Sequence, residues 1–162
     1  MKLILPYPIS ANLYWRTVVV KSQGALGPDG PQPYASTYVS EEAKRYKRDV
    51  RIAAYEQGVR APIAGRVSVG IQLYPHRPLD WQKRVRADPM NWDDDVRCLD
   101  LDNAFKVLND ALRGVAFKDD AWIRRIEAER MEPDTEGARV VVTIQPIVRK
   151  SPQASLLEAA TA

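Results

Sequence analysis

The run Asp100-Leu101-Asp102-Asn103-Ala104-Phe105-Lys106 sets two acids two positions apart and a lysine four positions after the second. A second acidic pair, Asp119-Asp120, follows downstream. Carboxylates gathered in one place repel one another unless a cation sits among them. Hard ions such as Mg²⁺ take oxygen ligands and keep part of their water shell. An ion held in this way polarises a phosphate and acidifies a bound water. A lysine beside it offsets charge on the phosphate or the leaving group. These residue types point to metal-assisted hydrolysis of a phosphodiester in nucleic acid.

Taken singly, each residue has a plainer reading. Asp102 reads as a helix cap, Lys106 as its ion-pair partner one turn later, and Asp119-Asp120 as a turn. Gathered at both ends of one short amphipathic helix, they read as a site. The spacing predicts that helix over residues 103–113, with Asp102 as the N-cap and Gly114 just past the end. Ala104, Phe105, Leu108, Ala111 and Leu112 fall on its apolar side; Lys106, Asn109, Asp110 and Arg113 fall on the other. If residues 99–102 leave a strand, Asp100 and Asp102 share a face, because strand side chains alternate.

The elements around this helix follow from the same patterning. Residues 3–5 read as a short strand ended by Pro6 and Pro8, and residues 14–21 as a β-branched second strand. Arg16, Tyr14 and Trp15 are placed there to meet a nucleic acid, or in the case of the aromatics to pack. Residues 22–34 are rich in Gly and Pro and read as an extended loop without a phosphate-binding glycine fingerprint. Residues 35–39 return as a strand. Ser40 caps a helix over residues 41–57, with Glu41 and Glu42 in its first turn and Gly58 after it. Lys44, Lys47, Arg48 and Arg51 line a face of that helix, where they follow a phosphate backbone or form a solvated surface.

Residues 67–74 alternate cleanly and predict a half-buried strand. The segment 76–99 reads as irregular as far as Asp95. Lys83, Arg84 and Arg86 interleave there with Trp81 and Trp92, a pattern suited to unpaired bases and backbone phosphates. Asp93-Asp94-Asp95 reads as a solvated turn. Residues 122–131 read as a strand, 133–137 as a turn and 139–148 as a further strand. Residues 149–162 read as a flexible tail. The expected fold is a single α+β domain over residues 1–148, a mixed β-sheet with two main helices packed on it.

Composition narrows the alternatives. A chain of 162 residues with 45 % hydrophobic content suits one domain with one core. The net charge of +3 is too small to carry an argument about partners, so charge placement must. Cys98 is the one cysteine, which excludes an internal disulfide and suggests a cytoplasmic setting. With His76 the one histidine, Cys/His zinc sites and a Ser-His-Asp triad are disfavoured. No stretch has the length of a membrane span, and the opening residues are too short and proline-broken for a signal segment.

The motifs Asp-Leu-Asp-Asn-x-x-Lys at 100–106 and Phe-x-Asp-Asp at 117–120 resemble those of the RusA family. The likeness extends to Leu5-Pro6-Tyr7-Pro8 and to Asn12-Leu13-Tyr14-Trp15-Arg16, and to the order of elements through about residue 148. Members are Holliday-junction resolvases of bacteria and their phages. The resemblance implies that Asp100, Asp102 and Asp120 bind the metal and that Lys106 is catalytic. Asn103 and Asp119 stand beside that shell; only the family match separates Asp119 from Asp120. It further implies Mg²⁺ or Mn²⁺ as cofactor, four-way DNA junctions as substrate, and a homodimer cutting symmetrically. Segments 22–34 and 76–99 are longer than the family pattern, which bears on substrate preference. Two other readings stand beside this one: a non-catalytic nucleic-acid-binding module using the basic helix, and a metal-dependent hydrolase of free nucleotides.

Overall fold

Alternation along residues 67–74 commits one face of a strand to the interior, and the rest of the sheet is built on it. The computed structural model describes residues 1–21 and 33–148. In chain order the elements are β1 (Lys2–Pro6), α1 (Ala11–Tyr14), β2 (Trp15–Lys21), β3 (Pro33–Val39), α2 (Glu41–Glu56), β4 (Val67–Tyr74), α3 (Trp81–Ala87), α4 (Leu101–Leu112), a 3-10 turn (Asp120–Trp122), β5 (Ile123–Arg130) and β6 (Arg139–Pro146).

Four strands form one mixed sheet in the order β1-β6-β4-β5. β6 runs antiparallel to both β1 and β4, whereas β5 runs parallel to β4. Val67, Val69, Ile71 and Leu73 of β4 are buried, while Ser68, Gly70, Gln72 and Tyr74 are only half-buried. Two helices complete the core. Ala43, Tyr46, Val50 and Ala54 of α2 and Ala104, Val107, Leu108, Ala111 and Leu112 of α4 join the buried sheet residues in one cluster. This is the expected α+β architecture. β2 and β3 pair with each other as a separate two-stranded ribbon.

Local chemistry sets the helix ends. Ser40 Oγ accepts from the Ala43 N–H (3.1 Å) and donates to the Leu13 carbonyl (2.6 Å), so the α2 cap also fixes the chain before β2. Gly114 follows α4 at φ 76°, a conformation that favours glycine and lets the chain turn back.

Several expectations meet a different outcome. The segment around residue 81 holds a helix, α3, rather than irregular chain. It is short and lacks an apolar stripe; the Asp80–Arg84 pair at 2.9 Å spans its first turn. α4 starts at Leu101, so Asp100 rather than Asp102 occupies the N-cap position, and the Asp100 carbonyl accepts from the Ala104 N–H (2.9 Å). No strand leads into it, so the relation of Asp100 to Asp102 is set by a helix start rather than by strand alternation. Of the two readings of Tyr14, packing is the one that holds, since its side chain is fully buried. Of the loop expected over residues 22–34, Pro33 and Tyr34 belong to β3, and residues 22–32 lie outside the described residues, as does the tail 149–162. Among the described residues no helix is long and apolar enough to cross a membrane.

Leu108 lies between α4 and the rest of the core at 1 % exposure. Leu108→Ala is expected to destabilise the protein by about 2–5 kcal/mol through lost burial and a residual cavity. Urea unfolding followed by circular dichroism checks this value.

Candidate active site

α4 carries its chemistry in steps of about one turn. Asp102 lies in the first turn, Lys106 in the second, Asp110 in the third, and Arg113 closes the helix. The apolar face described above is buried, so these side chains project from the opposite side. Lys106 Nζ donates to Asp102 Oδ2 at 3.3 Å, and both side chains are more than half exposed. Asp100 Oδ2 accepts from the Asn103 amide at 3.2 Å. Asn103 therefore does touch a predicted ligand.

The second acidic pair returns after Phe117, which is buried in the core. Asp119 caps the 3-10 turn, its Oδ1 accepting from the Ala121 N–H at 3.0 Å. That hydrogen bond, the adjoining Asp120 side chain and the Arg113 charge hold the Asp119 carboxyl below the ordinary range. Asp120 lines a cavity of about 260 Å³ together with Trp15, Phe105, Lys106, Asn109, Asp110 and Arg113. The fold thus brings Asp120 to the same cavity as Lys106, and Lys106 in turn holds Asp102. Asp100 and Asp102 are not among the lining residues. Among the described residues, no group of three or more acids, histidines or cysteines is gathered closely enough to hold a metal ion.

The approach to Asp100 is fixed from both sides. The Leu99 N–H donates to the Tyr7 hydroxyl at 2.9 Å, and that hydroxyl lies 3.5 Å from Cys98 Sγ. Burial and the Cys98 contact push the Tyr7 hydroxyl up to about 12, so it stays protonated. Arg130 of β5 donates to the backbone carbonyls of Asp93 and Val96. β1 and β5 therefore both hold the segment that delivers the first acid.

Other expected contacts fall out differently. Trp92 is buried, and its indole N–H donates to Glu132 Oε1 at 2.7 Å, so it cannot stack on a base. Trp81 is half-buried, with the Arg77 guanidinium 4.5 Å over its ring. Arg84 is engaged by Asp80 and Asp95, whereas Lys83 and Arg86 are exposed. Arg16 pairs loosely with Glu42 at 3.8 Å. Lys44, Lys47, Arg48 and Arg51 line a groove of about 390 Å³ between α2 and α4.

Asp110 is the residue that sequence reasoning passed over. Its Oδ2 accepts from the Tyr14 hydroxyl and from Lys47 Nζ (2.7 Å), and its Oδ1 faces Arg113 at 3.4 Å. Burial pushes its carboxyl up, but Lys47, Tyr14 and Arg113 outweigh that and hold it below the ordinary carboxylate range. The available signal was an acid two turns after Asp102 on a helix whose partner helix is basic.

The family model of the RusA endodeoxyribonucleases matches residues 16–145. The chain belongs to this family. No curated relative matches it. The RusA match runs from within β2 to within β6 and takes in every residue of α4 and both acidic pairs. Family membership makes the chain an endodeoxyribonuclease of a group that acts on DNA junctions.

The donor chemistry of this RusA member suits a hard divalent ion. Asp100 and Asp102 each offer exposed carboxylate oxygens, and Asp120 offers another at the cavity. A preassembled cage of three ligands is not what Mg²⁺ requires; one or two carboxylates plus substrate phosphate and water commonly hold it.

Because Asp110 ionises below the ordinary range in the folded chain, its ion pairs stabilise the fold above the unfolded-state value. That contribution is lost as pH falls through the depressed folded value. Asp110→Asn is expected to cost about 1–3 kcal/mol at neutral pH. The gap from wild type is expected to hold above about pH 5 and to close in stronger acid. Urea unfolding of both proteins across that range measures it.

Proposed function

We propose that this protein resolves four-way DNA junctions by metal-dependent hydrolysis of paired, symmetric phosphodiester bonds. The observation that supports this most is Asp120 lining one cavity with Lys106 while Asp102 holds the same lysine. Asp100, Asp102 and Asp120 are the residues that would hold Mg²⁺ or Mn²⁺, with substrate phosphate completing the shell. Bound there, the ion supplies Lewis acidity toward the phosphate and a more acidic water.

The chain's own residues do the rest. Asp102 orients the Lys106 ammonium through their contact at 3.3 Å. Lys106 offsets the negative charge that builds on the phosphate as the nucleophile attacks. Asn103 steadies the Asp100 carboxylate by its hydrogen bond. Asp119, held ionised by its cap geometry, keeps Asp120 at the cavity. Phe105 and Trp15 supply apolar walls that limit water around the reacting phosphate. Two copies related by a two-fold axis would match the near two-fold symmetry of a junction and place two such sites on it.

Lys106→Ala is expected to slow cleavage of a synthetic junction with Mg²⁺ by about 10²–10³-fold. Asp102→Asn is expected to abolish cleavage while junction binding without divalent ion stays near the wild-type level. Full cleavage by Asp102→Asn would defeat the mechanism. A linear duplex and a fork of the same sequence, cut as fast as the junction, would defeat the substrate assignment.

A further inference from the structure

The cavity at Asp120 and the groove between α2 and α4 share a wall, because Asp110 and Arg113 line both. The groove is otherwise lined by Lys44, Lys47, Arg48, Arg51 and Ala111. Five cations therefore meet a single carboxylate over its surface. The α2 cations recur about one helical turn, ~5.4 Å, apart and form a row.

These cations differ in how firmly they are held. Lys44 and Arg48 pair outward with Glu41 (2.7 Å) and Asp49 (3.8 Å), exposed contacts of small worth that give way to a phosphate. Arg51 has no ion-pair partner among the described residues. Lys47 and Arg113 are instead fixed from the inside by Asp110, which has only 22 % of its side chain exposed and is anchored further by Tyr14. The trio keeps one net positive charge with both cations in set positions. A strand leaving the Lys106–Asp120 cavity past Arg113 enters the basic groove directly.

We propose that the α2/α4 groove takes the backbone phosphates of the strand being cut, and that Arg113 binds the phosphate at the step between cavity and groove. Asp110 is a positioning residue: it sets where Lys47 and Arg113 meet that strand. This rests on the nuclease reading above for the location of the cut, but its test is a binding measurement. The groove then gives the bound strand a direction, since phosphate contacts fix register without reading sequence.

Junctions carrying one neutral methylphosphonate at each linkage flanking the branch point are titrated without divalent ion. The proteins are wild type, Arg113→Ala and Arg60→Ala. Arg60 is a charge-matched control whose guanidinium lies 4.1 Å over the Tyr55 ring and does not line the groove. In wild type, one or two neighbouring positions are expected to weaken binding about tenfold, the worth of one charge-assisted hydrogen bond. Arg113→Ala is expected to lose the penalty at those positions alone and to lower the salt slope of binding by about one. Arg60→Ala is expected to keep the wild-type map. Asp110→Asn is expected to keep overall affinity and spread the penalty over more linkages. An unchanged map in Arg113→Ala, or the same loss in Arg60→Ala, overturns the assignment of Arg113. An unchanged map in Asp110→Asn overturns the positioning role. Cleavage of the unmodified junction with Mg²⁺ by the wild type is scored alongside. Its absence sinks the nuclease reading, while the phosphate map is judged from binding.

Discussion

Two parallel strands cannot be joined by a tight turn. β4 and β5 pair in parallel from Val67 with Ile123 to Leu73 with Arg130, so the chain between them must cross back over the sheet. That crossover contains α3, α4 and both acidic pairs. α4 is held against the core by Ala104, Val107, Leu108, Ala111 and Leu112, and Phe117 buries the return. Asp100, Asp102, Asn103, Lys106, Asp119 and Asp120 all lie at the start of this helix, on its outer side, or in the turn that leads back to β5. The pairing of β4 with β5 is therefore what brings Asp120 back beside Lys106. A shift in that register would move the acid and leave the lysine where it is.

Packing sets the position of α4, and charge sets its contacts with the rest. Asp110 reaches α2 through Lys47, the chain before β2 through Tyr14, and the end of its own helix through Arg113. A partly buried carboxylate with three donors is more constraining than an exposed pair, because losing one partner leaves charge in a poorly solvated place. Ser40 acts in the same corner, tying the α2 cap to the Leu13 carbonyl. The two-stranded ribbon would be marginal if it stood alone. Its attachment through buried Tyr14 fixes its root beside the cavity that Trp15 helps to line.

Strong periodicity was legible in the sequence, and contacts between distant segments were not. The strand at residues 67–74 is found with those bounds, and the α2 cap at Ser40 follows from Ser before an acidic first turn. α3 was missed because seven residues without an apolar stripe carry no period to detect. The start of α4 moved because two acids compete for one cap position. Asp100 took it by backbone geometry, while its side chain went to Asn103. Trp92 looked like a surface aromatic next to basic residues, and Tyr14 could be read as either surface or packing, yet each buries its ring and satisfies its polar atom on a distant acid, Glu132 and Asp110. Such pairings span tens of residues and leave no local trace. Asp110 was placed correctly on the polar side of its helix, but its partners on α1 and α2 depend on how the helices dock.

The spacing of acids and cations has its own physical logic. Three carboxylates pressed together with no ion among them would raise one another's proton affinity and strain the fold. Here four of the acids instead have a companion of another kind. Asp102 has Lys106, Asp100 has the Asn103 amide, Asp119 has a backbone N–H and the field of Arg113, and Asp110 has Lys47 and Arg113. Each companion is also a group that a phosphate can use. In the proposed reaction a DNA strand would compete with Asp102 and Asp100 for Lys106 and the Asn103 amide, and a divalent ion would meet the need of those carboxylates for positive charge. Substrate and ion would then favour each other's binding, because each would take the partner that the other releases.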